Sequence, residues 1–98
     1  MVLEKYINKA VKKGNLYFFN RLDTLEIVNR CQSLGINILG IDEFNITEES
    51  TIPLQDFSLD MTSIQMQRIV EKSNCWEIAR NFLANAGPNV YFEIVLDE

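Results

Sequence analysis

Six carboxylates, Asp42, Glu43, Glu48, Glu49, Asp56 and Asp60, fall in one stretch of the chain that contains no Lys or Arg. Two carboxylates suffice for glycoside hydrolysis, and Asp42 with Glu43 or Asp56 with Asp60 could in principle form such a pair. A chain of 98 residues with 14 acids makes adjacent acids inevitable, however, and leaves little material for a sugar cleft beside a core. Calcium ligation fits no better, because the D-x-[DN]-x-[DN]-G spacing is missing and the stretch between Asp42 and Asp60 has no Gly for the sharp turn. A carboxylate run is ordinarily a solvated face. With so few cations nearby, its remaining chemistry is electrostatic: it forms a field that attracts a cationic protein surface.

The other reactive side chains are sparse. The sequence has no His, which removes the commonest general base near neutral pH. It carries no G-x-x-x-x-G-K, G-x-G-x-x-G or G-x-S-x-G, so phosphate cradles and nucleophile elbows have no support. Cys31 and Cys75 stand far apart without a C-x-x-C, which predicts reduced structural thiols rather than a zinc or redox site. Cys75 near a helix start could have a lowered pKa, but burial beneath Trp76 is the commoner fate. Trp76 reads as core, with an interface anchor as the alternative. Phe44 and Phe57 border the acidic stretch and would either frame it from the core or add apolar contacts to it. No catalytic residue, cofactor or metal ligand is expected.

Composition bounds the rest. The length is that of one domain, residues 1–98, and the 47% hydrophobic content with ten aromatics predicts a packed interior. A net charge of −5 disfavours nucleic acid and anionic membranes as direct ligands. Charge is also segregated: residues 1–30 hold six basic and three acidic side chains, and residues 31–98 hold three basic and eleven acidic. The start of the chain lacks the basic-then-apolar order of a signal peptide, and no apolar run is long enough to span a bilayer, so a cytoplasmic location and a monomer are expected.

The elements that must position these residues follow from periodicity. Val2, Leu3, Tyr6, Ile7, Ala10 and Val11 recur at helical spacing before Gly14 and predict an amphipathic helix over 2–13. Leu16–Phe19 reads as a buried strand, and a helix from about Leu22 to Leu34 turns Leu25, Val28 and Cys31 inward before Gly35, with Leu34 a further candidate for that face. Ile36–Ile41, rich in β-branched residues, reads as a central strand that completes a parallel β-α-β unit. The turn formers and Pro53 between Thr47 and Asp56 predict an exposed loop. Phe57, Leu59 and Met61 alternate as a half-buried strand, and Met66, Ile69 and Val70 suggest a short helix over 63–71. Asn74 with Glu77 resembles a capping box opening a helix through Trp76, Ala79, Phe82 and Leu83 to Gly87. Val90–Leu96 is the final strand. The expected class is α/β (α+β), a small mixed sheet of three to four strands with helices packed on it.

Several of these segments carry a resemblance. Ile38-Leu39-Gly40-Ile41-Asp42-Glu43-Phe44, Thr47-Glu48, Thr51-Ile52-Pro53, Ser58-Leu59-Asp60, Trp76 and Phe92-Glu93-Ile94-Val95 together resemble the small bacterial immunity proteins encoded beside contact-dependent growth-inhibition and related polymorphic toxins. The likeness spans about Tyr17 to Asp97, and Glu43 stands where the pattern commonly has Gly. It implies a stoichiometric inhibitor, not an enzyme, that binds one cognate toxin domain; many such toxins are basic nucleases. The partner-binding residues would then be Asp42, Glu43, Glu48, Glu49, Asp56, Phe57 and Asp60. Glu48, Glu49 and Asp56 rank first because the loop is exposed, whereas Asp42 and Asp60 border the strands. The alternative is a cytoplasmic adaptor or regulatory module that binds an unrelated protein through the same face.

Overall fold

A computed structural model describes residues 2–46, 51–60, 75–87 and 89–98, with 51–60 described as backbone. The chain opens with two short 3-10 turns, Val2–Lys5 and Ile7–Lys9, and then a hairpin of β1 (Val11–Lys13) and β2 (Leu16–Phe18). The helix expected over 2–13 is therefore replaced by turns and a strand. Gly14 supplies the reason: at φ +60 it takes the first central position of a two-residue turn, the conformation that closes a II′ hairpin and draws Val11–Lys13 onto Leu16–Phe18. The apolar periodicity recorded burial correctly, since Val2 is buried and Leu3, Tyr6 and Ala10 pack on the core.

Helix α1 (Arg21–Leu34) begins at Asn20, whose side chain accepts the Asp23 N–H at 2.8 Å. It ends at Gly35, which sits in the left-handed region at φ +71 and donates its N–H to the last turn. Ile27, Val28 and Cys31 are buried, Leu25 packs beside them, and Leu34 faces outward. Two long strands follow, β3 (Asn37–Ile46) and β4 (Thr51–Asp60), then helix α2 (Cys75–Asn85) and β5 (Tyr91–Asp97). The short helix expected over 63–71 and the Asn74 cap lie outside the described residues.

The main sheet has the order β4-β3-β5, and both pairings of the central β3 are antiparallel. The α+β class is as expected, while the parallel β2–α1–β3 unit is not formed directly. Instead Phe19 and Phe92 exchange both backbone hydrogen bonds at 2.8 Å, joining the end of β2 antiparallel to β5. Because β5 is antiparallel to β3 as well, β2 and β3 point the same way with β5 inserted between them, a split crossover.

Strand β4 also corrects the sequence reading, since the expected loop through Asp56 is already extended at Thr51. Pro53 suggested a loop, but an edge strand tolerates a missing N–H on its open side. The register then breaks: between Asp42↔Ser58 and Phe44↔Pro53, two steps along β3 face five along β4.

Both helices cover one face of this sheet. Ile27, Val28 and Cys31 of α1 and Cys75, Ala79 and Leu83 of α2 form one cluster with Ile38, Ile41, Phe92 and Ile94. The helices run antiparallel and are tied at two points. Arg21 donates to the carbonyls of Ala86 and Gly87, and Arg80 donates to Asn29 and Gln32. No helix among the described residues is long and apolar enough to cross a membrane.

Candidate functional site

Strand alternation decides which acids of the 42–60 stretch reach solvent. Ile41 and Ile94 are paired across β3 and β5 and buried under the helices, so their neighbours Asp42 and Glu93, also directly paired, project from the opposite face of the sheet. Both are half-buried, and neither forms an ion pair among the described residues. Directly opposed like charges on one sheet face repel by about 0.2–1 kcal/mol. The carboxyl of Glu93 is correspondingly raised above its ordinary value, first by partial desolvation and then by the neighbouring Asp42 charge. Val95 lies next along the strand, paired with Gly40 and 45% exposed. The result is a two-carboxylate patch with an apolar neighbour, held on the paired strands β3 and β5.

Glu43 behaves differently from its expected role. One step along β3 from Asp42, it turns to the inner face, pairs with Phe92 and is only 3% exposed, so it is not available to a partner. Its Oε1 is buried without a hydrogen-bond partner among the described residues. Desolvation raises its carboxyl above the ordinary 4.5, and Arg21 offsets part of that shift.

The remaining expected contacts divide by position. Glu48 and Glu49 lie outside the described residues. Asp60 is placed by the backbone register opposite Gly40, two pairs along from Asp42↔Ser58 on that ladder, whereas Asp56 and Phe57 fall within the register break of β4. Phe44 is a framing residue: its ring packs edge-on against the buried Phe18 with centroids 4.7 Å apart. Trp76 is anchored too, half-buried against the core with its indole N–H donating to the Ile36 carbonyl at 2.8 Å. Both cysteines are free and buried, and burial, followed by the charges of Glu98 and Cys75, pushes the Cys31 thiol up to about 11. Neither is placed to act as a nucleophile.

Glu93 is the site residue that sequence reasoning passed over. Its signal was present, because Phe92 and Ile94 facing inward require Glu93 to face outward; what was missing was knowledge that β5 lies beside Asp42. A second feature had no sequence signal. At the other end of β3, an open groove of ≈ 680 Å³ is lined by Asn20, Arg21, Leu22, Ile46, Val90 and Tyr91, among others, and Leu22 is 73% exposed beside it. The Arg21 side chain in this groove is already committed to carbonyls at the end of α2, and the groove mixes apolar side chains with the polar Asn20 and Asn89. No protein-family model, curated protein or solved structure matches this chain.

Proposed function

We propose that the chain is an immunity protein, a stoichiometric inhibitor that binds the basic face of a cognate bacterial toxin domain through its acidic sheet surface. The observation that carries this reading is the Asp42–Glu93 pair. Two like charges opposed on a sheet face cost the free protein stability, and a cationic side chain from a partner removes that cost on binding. The acids of the same stretch that follow in sequence, Glu48, Glu49, Asp56 and Asp60, extend the field without any intervening Lys or Arg. The likeness of the 38–60 and 92–95 segments to immunity proteins supplies the class of partner. In this reading the protein acts in the cytoplasm, performs no turnover and needs no cofactor.

Co-expression with the product of the neighbouring gene tests the proposal. The expected result is a 1:1 complex that survives purification and cells that grow despite toxin expression. An Asp42→Lys, Glu93→Lys chain should fold, fail to co-purify and fail to protect. Capture and protection undiminished in that variant would remove the acidic face from the account.

A further inference from the structure

Two cations frame a groove on the helical side, away from the Asp42–Glu93 patch. A groove of ≈ 370 Å³ is lined by Val2, Lys5, Arg30, Leu34, Ile36 and Glu98. Its floor is apolar: Val2 is buried, Ile36 is half-buried, and Leu34 is 52% exposed at its edge. Lys5 and Arg30 are exposed and have no hydrogen-bond or ion-pair partner among the described residues. The side-chain carboxylate of Glu98, also in the groove, is engaged by the Val2 backbone N–H at 2.8 Å. Lys5 and Arg30 thus bring two cations without partners among the described residues to an apolar surface wide enough for a side chain.

The complementary surface is on the same molecule. The outer sheet face carries the carboxylates of Asp42 and Glu93 with Val95 exposed beside them, so two anions and an aliphatic side chain would meet two cations and the exposed Leu34. The groove lies against α1 and the first 3-10 turn, whereas Asp42 and Glu93 project from the sheet face opposite the helices. A single copy therefore cannot satisfy its own groove, but a second copy can. We infer that the Lys5–Arg30 groove of one copy receives the Asp42–Glu93 face of another, so that the chain self-associates head to tail and covers its own acidic face.

Such a contact is heterologous. The surface used on one copy differs from that used on the next, and the association continues unless one end is blocked. Few apolar side chains and rim charges take part, so the contact is weak, with a Kd on the order of 0.1–1 mM. It occludes the face assigned above to the toxin, so a tightly bound cationic partner would displace the neighbouring copy. The self-association itself does not rest on the toxin assignment, because its test contains only this chain.

Sedimentation velocity across a concentration series provides that test. In low salt the weight-average mass of the parent should rise steadily with concentration, and in about 1 M salt, where the Debye length is about 3 Å, it should return to the monomer. Arg30→Glu and Asp42→Lys should each weaken association about tenfold. Arg30→Glu keeps an intact acidic face and Asp42→Lys an intact groove, so a mixture of the two should form a 1:1 dimer and nothing larger. A parent that remains monomeric in low salt at millimolar concentration would overturn the inference. So would variants that associate as the parent does, or a mixture with no dimer although each variant keeps the parent's circular dichroism.

Discussion

Glu43 shows how one residue can weaken a fold in a pH-dependent way. Its carboxyl is enclosed opposite Phe92 with one oxygen unpartnered among the described residues, so the folded state favours the protonated form. Its folded pKa lies above the ordinary 4.5, so between the two values the native state binds more protons than the unfolded chain. The associated stability is fully present below about pH 4.5 and is lost as pH rises through the folded value. Glu43→Gln removes the ionisation while keeping the shape. It should raise stability at pH 7 by about 1 kcal/mol, and the gain should shrink toward pH 4. Urea unfolding at both pH values checks this; a variant less stable than the parent at pH 7 would mean that the ionised carboxylate has a stabilising partner. Neighbouring Asp42 has the opposite fate because a strand turns successive side chains to opposite faces. The same alternation makes Asp42 and Glu93 a surface pair.

At the level of elements, what the sequence made legible depended on whether the signal was local. Helix α1 was readable because its punctuation is local: Gly35 at the end and an apolar face through Val28 and Cys31. The Asn20 cap belongs to the same logic, and Asn20→Ala should cost about 1 kcal/mol by orphaning the Asp23 N–H, seen as a lower urea midpoint with an unchanged slope. The segments before Gly14 and after Thr47 were not readable in the same way. One-sided burial at a spacing of three to four residues does not distinguish a helix from 3-10 turns leading into a hairpin, and the Gly14 turn was decisive. Pro53 and its turn-forming neighbours suggested a loop because a single sequence does not reveal that β4 is an edge strand. Ending the central strand at Ile41 rather than Ile46 had a functional consequence. Once β3 extends through Glu43, alternation alone buries that residue, and it leaves the list of surface contacts. Strand order was the least accessible feature, because alternation gives faces but not neighbours, and only the insertion of β5 beside β3 brings Glu93 to Asp42.

At the scale of the whole molecule, two charged patches lie on opposite sides of the main sheet. The helical side presents Lys5 and Arg30 around an apolar groove, and the outer sheet face presents Asp42 and Glu93. An acidic face on a rigid sheet increases encounter with a basic partner and disfavours acidic ones, so its contribution appears mainly in the association rate and in the dependence of that rate on salt. The anchoring of Trp76 to the Ile36 carbonyl and the edge-on packing of Phe44 against Phe18 commit those aromatics to the fold, leaving the carboxylates as the chemistry of this face. The most direct test is the association rate constant with the toxin domain proposed as its partner, measured against ionic strength for the parent and for Asp42→Lys, Glu93→Lys. The parent should bind fastest in low salt and slow steeply as salt is added; the variant should start at least about tenfold slower and show a nearly flat profile. Equal rates and equal salt slopes for the two proteins would contradict the account.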